Sequence, residues 1–165
     1  MKNPNKIIES YAKWANFESE NKVVIVYDTM WKSTAKIARA IAEGAATKVK
    51  VRMFHVRNDA WSDIMTEILD AKAIAIGSPT MHSTVFPPLA GFLAYMKGLK
   101  PKNKIGLAFG SYGWSSGATK EINRIFEELK FEIMEPLQIK YKPTKEELKK
   151  AYEVGVELGE KAGNK

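Results

Sequence analysis

Cysteine is absent from this 165-residue chain, and histidine occurs only twice, as His55 and His82. Without cysteine the chain holds no disulfide, thiolate metal site, cysteine nucleophile or iron–sulfur cluster. With two histidines it builds no site that needs several histidine ligands. No apolar run approaches the ~18 residues needed to span a bilayer, and the polar opening at residues 1–6 is not that of a signal peptide. Two phosphate-binding signatures are also missing: GxxxxGK followed by Ser or Thr, and the glycine-rich GxGxxG. These absences fit a cytoplasmic protein with neither a membrane nor a metal site of its own.

What is present reads as one folded domain. Hydrophobic residues make up 45% and charged residues 27%, which is ordinary for a globular chain of this length. The net charge of +7 raises nucleic acid as a partner. Its distribution argues otherwise. Residues 1–96 carry 12 basic and 9 acidic side chains, and residues 97–165 carry 14 and 10. The densest basic stretch is Lys97, Lys100, Lys102 and Lys104. A solvated lysine-rich surface accounts for this better than a nucleic-acid interface.

The hydrophobic period switches repeatedly along the chain. Residues 22–27 form a nearly continuous apolar run rich in β-branched side chains, as expected of a strand buried on both faces. Residues 35–46 follow with helical spacing, with Ser33 or Thr34 as the expected N-cap. The alternation continues with strands at 49–54, 71–77, 104–109 and 132–140, the last interrupted at Pro136. Helices are expected at 61–69, 88–98 and 118–129, and from Thr144 onward, where Glu147 completes a capping-box spacing. This predicts a doubly wound, five-stranded parallel sheet in a three-layer α/β/α sandwich. Residues 1–21 stand outside the alternation as a leader or linker, with a short helix on Ile7, Ile8, Tyr11 and Trp14, and residues 22–162 form the domain.

In such sheets ligands bind beyond the carboxyl ends of the strands, so three loops are candidates. Residues 28–34 offer the hydroxyls of Thr29, Ser33 and Thr34 beside a helix N-terminus, a suitable cradle for a phosphate. The same hydroxyls would serve as plain helix caps. Residues 77–87 form a long polar loop, stiffened by Pro79 and Pro87, in which His82 is either an acid–base candidate or a packed loop histidine. Residues 110–117 set Tyr112 and Trp114 among three glycines, an arrangement that brings aromatic surface and close backbone to a flat ring.

Taken in order, residues 24–34, 77–80 and 109–115, with the 87–104 stretch, resemble the flavodoxin-like domain of A-type flavoproteins, the flavodiiron proteins. The resemblance covers roughly residues 5–160. It implies the flavodoxin-like strand order 2-1-3-4-5 and non-covalently bound FMN. Thr29, Met30, Trp31, Lys32, Ser33 and Thr34 would then surround the phosphate. Pro79, Thr80, Met81, His82, Ser83 and Thr84 would line one side of the flavin, and Ser111, Tyr112, Gly113, Trp114, Ser115 and Gly117 the other. Two positions depart from the family pattern, which often has Gly or Asn near Lys32 and commonly Asn near His82 and Ser83. A lysine beside the phosphate and a histidine beside the ring would shift affinity or potential, a nearby cation favouring reduced, anionic flavin.

The resemblance also implies partners. Flavodiiron proteins carry a metallo-β-lactamase-like di-iron domain that these residues lack, so oxygen or nitric oxide reduction at iron would need another domain or protein as acceptor. The donor would be rubredoxin or a reductase, and a homodimer is the family's assembly. The expected function is therefore an FMN-binding electron-transfer module, either an excised domain or a free-standing relative. One alternative is an NAD(P)H-dependent flavin or quinone reductase, with His82 or Tyr112 acting on substrate. Another is an interaction domain that has lost its cofactor.

Overall fold

The central strands are apolar on both faces because helices cover both sides of the sheet. The computed structural model describes residues 4–16 and 18–164. A leader helix α1 (Pro4–Ala15) precedes β1 (Glu20–Tyr27), α2 (Ser33–Ala46), β2 (Lys50–His55), α3 (Trp61–Asp70) and β3 (Ala71–Met81). The chain continues through β4 (Thr84–Val85), α4 (Pro87–Leu99), β5 (Ile105–Tyr112), α5 (Ala118–Glu128), β6 (Glu132–Ile133), β7 (Leu137–Lys140) and α6 (Lys145–Gly163). Residues 1–3 and 17 of the expected leader lie outside the described residues, and β1 starts at Glu20, inside that segment.

The sheet runs β2-β1-β3-β5-β6, with β7 also paired to β5. Its pairs are parallel except for the β3–β4 hairpin. The expected order is found, but the sheet has seven strands rather than five. The outer position beside β5 is shared by two short pieces separated at residues 134–136. Pro136 has no N–H to give to a ladder, which breaks the strand there.

Alternation along each strand sorts side chains into two cores. Val24, Val26, Ile74 and Ile76 point to the side of α3, α4 and α5, where they meet Ile64, Phe92 and Phe126. Val23, Ile25, Leu107 and Phe109 point to the side of α2 and α6, where they meet Ile37, Ile41 and Leu158. On that side two helices come into backbone contact: a Cβ on Gly155 would stand 2.2 Å from the Ile41 carbonyl oxygen. This close approach fixes α2, whose N-terminus opens at the carboxyl edge of the sheet. Helix α6 starts from the expected capping box, with Glu147 N–H donating to Thr144 Oγ1 and Thr144 N–H to Glu147 Oε2. Among the described residues no helix is long and apolar enough to cross a membrane.

Candidate functional site

The carboxyl ends of β1, β3, β5 and β7 open onto one cleft of about 740 Å³. From the first loop it is lined by Met30, Trp31 and Ser33, from the second by Pro79, Thr80, His82 and Ser83, and from the third by Ser111, Tyr112, Gly113, Trp114 and Ser115. The remaining six expected residues, Thr29, Lys32, Thr34, Met81, Thr84 and Gly117, do not line it. They build the loops that do.

The first loop leaves β1 at a fully buried Asp28 and turns at Lys32, which takes the left-handed conformation (φ 65°) and stands at the N-cap position of α2. Neither Ser33 nor Thr34 is the cap, as the spacing had suggested; both lie inside the helix, and no side chain caps it. The hydroxyls are thus free of that duty, and the positive end of the helix dipole faces the cleft. Thr34 is buried, and its Oγ1 hydrogen-bonds Ser111 Oγ at 2.9 Å, which ties the first loop to the third. Thr29 Oγ1 is buried without a hydrogen-bond partner.

The second loop is mostly strand. β3 continues past Gly77 to Met81, turns at His82 and Ser83 and returns as β4, pairing Met81 with Thr84 and Thr80 with Val85. Both turn residues have positive φ, 49° and 64°, the signature of a type I′ hairpin. Pro79 is tolerated in the strand because β1 ends opposite Gly77, leaving one side of β3 as an edge. Several contacts latch the hairpin to the start of α5. Ser83 Oγ hydrogen-bonds Ser115 Oγ at 2.8 Å, Glu121 accepts from the Thr84 hydroxyl and the Val85 amide, and the Ser83 carbonyl lies where a Cβ on Gly117 would be.

The third loop presents Trp114, 98% exposed, across a cleft that also holds Trp31 at 85%. Three lining residues escaped the sequence reading: Lys36, from the first turn of α2, and Tyr141 and Lys142, which follow β7. Tyr141 is anchored by its N–H to the Tyr112 carbonyl at 2.8 Å and packs beside Gly113. The signal for this pair was available, since β7 ends at the same edge as the other three strands. The lining carries Lys36, Lys142 and His82 and no Asp or Glu. Among the described residues no cluster of His, Asp or Glu could hold a metal ion. Exposed indoles, small hydroxyls, a helix N-terminus and two lysines fit a flat aromatic group that bears a phosphate.

Comparison with known proteins identifies the fold and the family. The flavodoxin family model matches residues 25–155. An uncharacterized protein of Methanocaldococcus jannaschii is 50% identical over 159 residues, which are 94% of this chain and 40% of that protein. The nitric oxide reductase of Moorella thermoacetica is 42% identical over 157 residues, 93% of this chain and 39% of its own length. The chain thus spans about 40% of the length of these curated relatives. Among solved structures, rubredoxin oxygen:oxidoreductase from Desulfovibrio gigas superposes with a TM-score of 0.89 at 37% identity, over 94% of this chain and 39% of that one. A flavodoxin from the domain Archaea superposes at 0.79 and 32% identity, over 87% of this chain and 99% of its own. The chain belongs to the flavodoxin family, and it is a flavodoxin-like domain of the kind found in A-type flavoproteins, the flavodiiron proteins.

Proposed function

We propose that the cleft binds FMN and that the chain acts as an electron-transfer module. Flavin binding follows from the family. The observation that carries the reading furthest is the composition of the cleft, with two exposed indoles, Ser33 and Lys36 at the start of α2, and no carboxylate. The α2 N-terminus, Ser33 and Lys36 receive the phosphate. Trp31, Tyr112 and Trp114 give the ring aromatic surface, and the hairpin around Thr80 closes the other side. When bound, FMN supplies the redox chemistry by taking up and releasing electrons. Lys142 stabilises the negative charge that arrives with those electrons.

The relatives point to the acceptor. The Moorella protein is named a nitric oxide reductase, and the Desulfovibrio protein a rubredoxin oxygen:oxidoreductase. By analogy, electrons entering from a rubredoxin-like donor leave toward a di-iron domain outside these residues.

Reconstitution with FMN tests the reading. The holoprotein is expected to show a flavin absorption spectrum and a dissociation constant of micromolar or tighter. Mixed anaerobically with NADH or NADPH alone in a stopped-flow instrument, it is expected to be reduced slowly or not at all. Absence of FMN binding overturns the cofactor, and rapid reduction by either nucleotide overturns the carrier role in favour of a reductase.

A further inference from the structure

We propose that Asp28, His55 and Arg57 form a clamp that sets the Thr29 peptide and thereby gives the site its preference for a phosphorylated flavin. This rests on the FMN reading and assigns a role to three residues that do not line the cleft.

The clamp is built from the ends of β1 and β2. Asp28 is fully buried, and its Oδ1 gathers three donors: the Thr29 N–H at 2.7 Å, Arg57 Nε at 2.9 Å and, also at 2.9 Å, His55 Nε2. Its Oδ2 has no partner, so the carboxylate acts through one oxygen. Arg57 then reaches past the carboxylate, and its Nη2 donates to the Thr29 carbonyl at 2.7 Å. Both backbone groups of Thr29 are therefore held by one connected set of charges.

Each member of that set is itself fixed. The His55 ring stacks on Tyr27 with centroids 5.2 Å apart, and the Arg57 guanidinium lies over the Phe86 ring at 5.5 Å. The Asp28 N–H donates to the Gly77 carbonyl at 3.1 Å. The clamp thus joins the first loop to β2, to β3 and to the root of the hairpin.

With its peptide held at both ends, Thr29 has one polar group left, the buried and unpartnered Oγ1. A buried hydroxyl without an acceptor is unfavourable unless a ligand oxygen meets it. It lies on the loop between the end of β1 and the open N-terminus of α2, where a phosphate is favoured by helix geometry. Thr29 lies behind the residues that line the cleft, so the clamp acts by fixing the loop that carries this donor, and a phosphate seated at the α2 N-terminus is the acceptor it lacks. Bidentate guanidinium geometry explains why arginine stands at position 57, since a lysine ammonium is a point charge that cannot reproduce the fork.

FMN and riboflavin differ only in the phosphate, so binding of both ligands to the full chain separates the clamp from a general structural role. In the wild type, FMN is expected to bind more tightly than riboflavin. Arg57→Lys keeps the charge and loses the fork; its FMN dissociation constant is expected to rise about tenfold, with the riboflavin constant within about twofold of wild type. His55→Asn, which keeps a side-chain amide but loses the ring stacking, is expected to show the same signature more weakly. Thr29→Val removes the unpartnered hydroxyl, and Arg57→Lys added to it is expected to have little further effect.

Equal losses for both flavins in Arg57→Lys, retained FMN affinity in that variant, or full additivity with Thr29→Val would each overturn the clamp. Retained affinity would assign Arg57 a simple long-range charge effect. Failure of the wild type to bind FMN at all would instead overturn the cofactor reading on which the clamp rests.

Discussion

Lys32 and His82, the two departures that the resemblance marks, both have positive φ, as does Ser83 beside them. From sequence they read as charges placed near a cofactor. The structure gives a backbone reason why Gly or Asn would suit these positions, because an L side chain in the left-handed region costs about 1 kcal/mol that Gly avoids and Asn reduces. Lys32 is exposed and does not line the cleft. Lys32→Gly is therefore expected to raise stability by roughly 0.5–1 kcal/mol in urea denaturation while changing FMN affinity less than about threefold. A large loss of affinity would restore the lysine as a phosphate ligand. Lys142, which sequence reasoning missed, is the better electrostatic candidate because it does line the cleft. Lys142→Glu is expected to lower the flavin reduction potential by roughly 30–60 mV in a potentiometric titration, the scale of a partly screened charge reversal. An unchanged potential would remove Lys142 from the tuning of the flavin.

At the scale of elements, strands and helices with strong periodicity were legible, and the second candidate loop was not. Residues 77–87 looked irregular because Gly77, Pro79 and a polar turn interrupt the apolar pattern. Whether Pro79 breaks a strand depends on which neighbour stands beside it, and that is a tertiary fact: β1 has already ended there. The N-terminus of α2 shows the same limit. The hydroxyls at 33 and 34 look like caps in sequence, but Lys32 takes the turn, and Thr34 turns inward to Ser111. Besides its hydrogen bonds, the packing of the hairpin on α5 needs the absence of one methyl group. A Cβ on Gly117 would come to 1.8 Å from the Ser83 carbonyl oxygen, which belongs to backbone and cannot swing away. Gly117→Ala is expected to push the hairpin off α5, lowering stability by on the order of 2 kcal/mol and weakening FMN binding more than tenfold. Isothermal titration and urea unfolding check both numbers; wild-type affinity in this variant would show that the hairpin does not shape the site.

For the molecule as a whole, the charge of +7 is not a single patch. The densest basic stretch of the sequence divides on folding: Lys97 pairs with Glu128, while Lys104 is buried at the opposite edge of the sheet from the cleft. Its ammonium donates to the Leu69 and Ala71 carbonyls at 2.8 and 2.6 Å and to Ser19 Oγ at 3.2 Å, so it closes the C-terminal end of α3. Burial lowers its pKa from 10.5 to about 8, against the opposing pull of Asp70. The sign of the consequence follows from proton counting. Below about pH 8 the lysine is charged in both folded and unfolded chains, and the folded state bears the full penalty of the buried charge. Between about 8 and 10.5 the unfolded chain keeps the proton while the folded protein releases it, so stability rises with pH through this window. The full gain is roughly 3 kcal/mol, most of it reached by pH 10. Lys104→Met removes the titrating group and leaves the surface charges in place. Urea denaturation of both proteins from pH 7 to 10 is expected to show the wild type gaining stability relative to the variant as pH rises. A difference that stays flat across that range would mean the carbonyl cage compensates the ammonium for its lost water, leaving its pKa where an exposed lysine has it.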